Sequence, residues 1–171
     1  MENLVVTIIA RDQPGLVESI AQCVATHGGN WLDSRMSRMA GQFAGILRIA
    51  VPETSLQVLV LALQDLQRQG IRVQVANSTA EIARDTREVL LRLIGNDRPG
   101  IVRDITRLLV EEGINLDELD TWVAPAPMSN ELLFHAEARL AVPAELSLPN
   151  LREHLETLAD ELMVELQVPA D

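Results

Sequence analysis

The 171-residue chain contains no lysine, a single cysteine, and four aromatic residues with no tyrosine among them. Its fourteen basic residues are all arginine. Without lysine there is no Schiff-base nucleophile, no lysine-bound pyridoxal cofactor and no P-loop lysine. One thiol, Cys23, allows neither an internal disulfide nor a multi-thiolate zinc site, a usage that suits a reducing cytosol. Trp31, Phe43, Trp122 and Phe134 leave little material for stacking nucleic-acid bases. Long apolar runs are missing as well. Leu4 to Ala10 is too short for a signal sequence or a span, and Met1-Glu2-Asn3 carries no cation. A cytoplasmic chain with no membrane contact is expected.

What is present is acid. Twenty-five acidic residues outweigh the arginines, for a net charge of −11, which argues against direct nucleic-acid binding because that depends on neutralising phosphates. The surplus is lopsided. Residues 1–85 hold eight acids and seven arginines, whereas 86–171 hold seventeen and seven. Glu111, Glu112, Asp117, Glu118 and Asp120 concentrate part of the excess. On a strand Glu118 and Asp120 point one way and Asp117 the other. The cluster reads as a solvated surface or as a docking face for a basic protein.

The chain is written twice. Arg11-Asp12-Gln13-Pro14-Gly15-Leu16-Val17 recurs 85 residues later as Asn96-Asp97-Arg98-Pro99-Gly100-Ile101-Val102. At the same offset Gly28 meets Gly113 and Asn30 meets Asn115. After a six-residue insertion in the second copy, Arg48 and Val51 align with Arg139 and Val142. Leu56, Leu59, Leu63 and Leu66 return as Leu148, Leu151, Leu155 and Leu158, a spacing that lines one helical face.

Each copy predicts β-α-β-β-α-β. Apolar runs at 4–10 and 87–95 end in Pro-Gly turns. Val17, Ile20 and Val24, then Val102, Ile105 and Leu109, share helix faces, and Gly28 and Gly113 stand at the C-caps. Leu47, Ile49 and Val51 alternate, as do Phe134, Ala136, Ala138 and Leu140. Ile71, Val73 and Val75, then Val164, Leu166 and Val168, predict the closing strands. Ala124-Pro125-Ala126-Pro127 predicts a stiff hairpin loop. The expected fold is α+β, with two ferredoxin-like domains in tandem (1–77 and 87–171) joined by a linker at 78–86, each an antiparallel sheet with helices on one face.

Such a fold carries many functions. The third strands lack the exposed aromatics of an RNA-recognition surface, and Asp12 and Asp97 put carboxylates where a phosphate cradle would need none. The Asp-x-Pro-Gly turn remains. Pro14 and Pro99 suit a helix start, Gly15 and Gly100 permit close backbone approach, and first-turn amides favour a carboxylate. Asp12 and Asp97 then face an ammonium group or, alternatively, cap their helices. Asn30 and Asn115 supply donors and acceptors, or else serve as left-handed turn residues. Together these suit a small zwitterion, an amino acid.

These turns, the helices after them and the two asparagines resemble ACT domains, amino-acid-sensing regulatory modules. Two such domains filling a short chain resemble the glycine cleavage system transcriptional repressor family. The resemblance implies an effector, glycine or another small amino acid, held at an interface between two domains. Its contacts would be Asp12, Gln13, Gly15, Leu16 and Asn30, with Asp97, Arg98, Gly100, Ile101 and Asn115. It also implies a non-enzymatic repressor that acts through a protein partner such as a DNA-binding activator, with no cofactor. Exposed sheet edges predict side-by-side pairing of the two domains, or of two chains as a homodimer. The alternatives are an interaction module without ligand and a stand-alone regulatory subunit of an amino-acid metabolic enzyme. Cys23 reads as a packing residue. His27, His135 and His154 are too dispersed for a metal or catalytic role.

Overall fold

The computed structural model describes residues 1–78, 85–158 and 162–170. Two compact units divide the chain, residues 1–81 and 82–171. Of the expected linker, residues 79–84 lie outside those described, and Thr86 already opens a strand.

The first unit runs β1 (Glu2–Arg11), α1 (Leu16–Thr26), β2 (Asn30–Met39), β3 (Gln42–Val51), α2 (Leu56–Asp65) and β4 (Arg72–Asn77). Its antiparallel sheet has the order β2-β3-β1-β4. The second repeats it with β5 (Thr86–Asn96), α3 (Ile101–Glu111), β6 (Asn115–Pro125), β7 (Leu132–Pro143), α4 (Leu148–Glu156) and β8 (Met163–Gln167), in the order β6-β7-β5-β8. These are two ferredoxin-like βαββαβ folds.

Period-two burial makes the strands one-sided. Leu4, Val6, Ile8 and Ala10 of β1 are buried with Leu47, Ile49 and Val51 of β3, beneath Ile20 and Val24 of α1 and Leu59 and Leu63 of α2. In the second unit Val89, Leu91 and Leu93 join Phe134, Ala136, Ala138 and Leu140 under Ile105, Leu109, Leu151 and Leu155. Each such valine, leucine, isoleucine or phenylalanine contributes roughly 1.5–3 kcal/mol by leaving water, and each alanine less. Helices therefore cover one face of each sheet and leave the other open.

Both first helices stop in the same way. Gly28 (φ 71°) donates its amide to Ala25 O at 3.0 Å, and Gly29 donates to Val24 O at 2.9 Å. Gly113 (φ 69°) and Ile114 repeat this toward Val110 O (3.0 Å) and Leu109 O (2.8 Å). Each pair of bonds satisfies carbonyls that a helix end otherwise leaves open.

Four local expectations need correction. Val17 and Val102 do not belong to the buried faces, being 44% and 39% exposed. Leu16 and Ile101 take those places, because each helix begins right after its glycine and i, i+4, i+8 faces the sheet. Val168 lies beyond the end of β8 and is exposed. Ala124 and Pro125 end β6 instead of forming the loop, which is closed by Ala126 N–H donating to Glu131 O at 2.8 Å. Finally, Asp117 does not simply alternate with Glu118: the register slips between Leu116 and Glu118, leaving Asp117 as a bulge. Leu32 is bulged at the same repeat position.

Candidate functional site

Each Asp-x-Pro-Gly turn connects the sheet to the first helix. In the first unit Asp12 N–H donates to Gly41 O at 3.0 Å, tying the turn to the β2–β3 hairpin. In the second, Asp97 N–H donates to Leu132 O at 3.0 Å, across the matching hairpin. Gly15 (φ 88°) and Gly100 (φ 84°) are the N-caps, in the left-handed region that favours glycine. Their carbonyls accept the first helical bonds, from Ser19 N–H (2.9 Å) and Asp104 N–H (3.0 Å). Earlier amides of each helix have no intrahelical acceptor; of these, Ile101 N–H donates to Arg98 O at 3.3 Å within the turn.

The aspartates are not caps. No side chain caps α1 or α3. Asp12 instead accepts Arg38 Nη1 at 3.3 Å from across the hairpin. Asp97 makes no side-chain hydrogen bond or ion pair among the described residues. Its carboxylate stands exposed. The left-handed alternative for Asn30 and Asn115 also fails, since Ala40 is the one non-glycine with positive φ among the described residues. Asn115 Nδ2 donates to the bulged Asp117 at 2.6 Å.

The two turns differ in what surrounds them. Gln13 is exposed, and a Cβ placed on Gly15 would meet no atom within 4 Å. At Gly100 the same Cβ would lie 3.1 Å from Arg103 Nη2. Arg98 reaches Asp104 Oδ2 (2.8 Å) and Leu158 O (3.1 Å), and Arg103 reaches Asp104 Oδ1 (2.9 Å). Arg98 first, then Arg103, holds the Asp104 carboxyl below the usual carboxylate range. A depressed acid stabilises the fold above its unfolded pKa and loses that contribution as pH falls through the folded value. Thermal melts from about pH 5 down to about pH 2 should therefore fall less steeply for Asp104→Asn than for the parent chain.

Leu16 and Ile101 are buried in their cores, so a ligand could meet them only through the backbone. Within one unit the turn and the asparagine are not neighbours. Asn30 shares a row with Ala50 and Asn3, whereas Arg11, just before the turn, pairs with Gln42. Eight strand positions separate the two rows, roughly 26 Å at about 3.3 Å each. The second unit repeats this, with Asn115 level with Glu88 and the turn following Asn96.

A duplicated ion pair escaped the sequence reading. Arg48 binds Asp33 Oδ2 through Nε (2.9 Å) and Nη2 (2.5 Å), just past the first bulge. Arg139 binds Glu118 (3.3 Å) and Glu88 (2.7 Å) just past the second, and Glu118 foremost raises the Arg139 pKa. The alignment of Arg48 with Arg139, 85-residue partners Asp33 and Glu118 included, was the available signal. His154 pairs with Glu112 at 2.8 Å. Cys23 packs at the edge of the first core, and burial pushes its thiol pKa up, away from reactivity. Beneath Val102 and Leu119 lies an apolar cavity of about 10 Å³, room for about one water.

Two βαββαβ units, each presenting a Pro-Gly turn at a helix start, define a tandem ferredoxin-like protein. The ACT domain profile matches residues 2–76. Residues 2–76 form an ACT domain, and the second unit repeats its fold. It is similar to the glycine cleavage system transcriptional repressor of Escherichia coli, at 22% identity over 161 residues, covering 93% of this chain and 85% of that protein. A UPF0237 protein of Methanococcus maripaludis is 30% identical over 78 residues, 44% of this chain and 87% of the relative. Among solved structures, a protein of unknown function from Galdieria sulphuraria matches with TM-score 0.87 and 26% identity over 99% of both chains. One described provisionally as a glycine cleavage system transcriptional repressor matches with TM-score 0.72 at 20% identity, over 99% of this chain and 98% of that one, a likeness of fold.

Proposed function

We propose that this chain is a non-enzymatic regulator that senses a small amino acid, glycine or one of similar size, at its Asp-x-Pro-Gly turns, with the first turn open and the second covered by Arg103. The observation that carries this reading is the twice-built turn: a left-handed glycine at a helix start, preceded by an aspartate that does not cap that helix. First-turn amides suit the ligand carboxylate, and Asp12 or Asp97 suits its ammonium group. Asn30 and Asn115 lie too far from the turn of their own unit to share one ligand with it. A site uniting both parts takes its turn from one ACT-type unit and its asparagine from another, whether of the same chain or of a second copy.

Similarity to a transcriptional repressor over most of the chain supports a regulatory role. The net charge of −11 favours action through a protein partner, such as a DNA-binding activator, over direct contact with DNA. Ligand binding would then shift the population of partner-competent states. Titration calorimetry of the full chain against each of the twenty amino acids tests the sensing step. Heat from a small amino acid, with a rise in melting temperature, is the expected result. If no amino acid gives either response, sensing is refuted and the interaction-module reading takes its place.

A further inference from the structure

The open faces of the two sheets differ in sign. By register, the first unit's open face carries Arg11, Arg35, Arg48 and Arg72 against Asp33 alone. The second unit's carries five carboxylates, Glu88, Glu118, Asp120, Glu137 and Glu165, against Arg92 and Arg139. The two faces have equal and opposite net charge.

Internal pairing leaves the complementary groups available. On the first face Asp33 is taken by Arg48, while Arg11 and Arg72 make no ion pair among the described residues. On the second, Arg139 takes Glu88 and Glu118, and Arg92 takes Glu137 at 3.3 Å. Asp120 and Glu165, which flank the Glu137–Arg92 row, make no ion pair among the described residues. Both faces also expose apolar surface. Ile46 is 49% accessible on the first; Trp122, stacked on His135 with centroids 5.1 Å apart, and Met163 are 45% and 63% accessible on the second.

We propose that the open sheet face of the first unit docks on the open sheet face of the second unit in another copy of this chain. Stacked sheets pack about 10 Å apart through the side chains of their facing surfaces. Ile9 and Ile46 of one copy would then cover Trp122 and Met163 of the other, removing exposed apolar surface from water. Arg11 and Arg72 would meet Asp120 and Glu165 around that centre. The occupant is a second copy because a face of equal and opposite charge is present in the same chain. The contact joins unlike faces, so it closes as a dimer when both copies return it and otherwise propagates.

Sedimentation of the full chain over a range of concentrations tests this. Association is expected, weakening between about 0.1 M and about 1 M salt as the screening length falls from about 10 Å to about 3 Å. Arg11→Glu with Arg72→Glu makes both faces acidic; Asp120→Arg with Glu165→Arg makes both basic. Each double variant is expected to associate at least about tenfold more weakly, a loss of about 1.4 kcal/mol. An equimolar mixture of the two should restore association, because each chain then meets an opposite face. The milder Arg72→Gln and Glu165→Gln variants should shift the same equilibrium in the same direction. A parent chain that stays monomeric, charge variants that associate like the parent, or a mixture that stays monomeric would each overturn the proposal.

Discussion

Replacing Leu140 by alanine is expected to cost about 2–5 kcal/mol, the range for emptying a fully buried leucine site. Leu140 is completely buried on β7, level with Leu116 of β6 and Val89 of β5 at the centre of the second core. The rigid sheet on one side and α3 and α4 on the other limit collapse into the void, which places the cost above that of simple transfer. For a unit of this size each kcal/mol moves the melting temperature by roughly 4–8 °C, so a shift of at least about 8 °C follows. The chain offers its own reporters, with Trp31 beside the first core and Trp122 on the second sheet. Single-tryptophan variants, Trp31→Phe and Trp122→Phe, separate the two signals. Leu140→Ala should lower the midpoint read by Trp122 far more than that read by Trp31, because the two cores are built from separate residue sets. Equal displacement of both midpoints would show that the units unfold as one.

The features legible in the sequence are those that local periodicity or repetition encodes. The duplication, the leucine faces of α2 and α4, the alternation in β3 and β7, and the glycine stops at Gly28 and Gly113 all follow from side-chain spacing and backbone freedom. Val17 illustrates the limit. Faces beginning at 16 or at 17 both satisfy helical periodicity, and only the N-cap at Gly15 decides that Leu16 faces the sheet. The bulges at Leu32 and Asp117 carry no local signal, because each is a register difference against a strand more than ten residues away. The separation of turn and asparagine is likewise topological. Recurrence of Asn30 and Asn115 at a fixed offset placed them with the turns, but the β2-β3-β1 order puts them at the opposite end of the sheet. The cover over Gly100 was hidden for a third reason: Arg103 aligns with Glu18, so the pattern match passed over a reversal of charge. That reversal makes the second turn a guanidinium-lined surface and leaves the first one open.

Gly15→Val is expected to weaken amino-acid binding at the first turn by at least about tenfold, a loss of about 1.4 kcal/mol. Two effects act together. A β-branched residue at φ 88° is strained by about 1–3 kcal/mol, which draws the turn away from the geometry that aims its amides. The added methyls also enter the open space above Gly15, where no protein atom lies within 4 Å of a built Cβ and a ligand has room to sit. At Gly100 the space is already held by Arg103, so Gly100→Val should change the measured affinity less while producing similar backbone strain. Arg103→Ala makes the contrast sharper. Clearing the guanidinium exposes the second turn, and the calorimetric stoichiometry should rise above that of the parent chain. Thermal melts of the two glycine variants separate strain from lost contact: comparable melting temperatures with unequal affinities are expected. Equal affinity losses at the two glycines, with no change in stoichiometry for Arg103→Ala, would show that the arginine cover does not govern access.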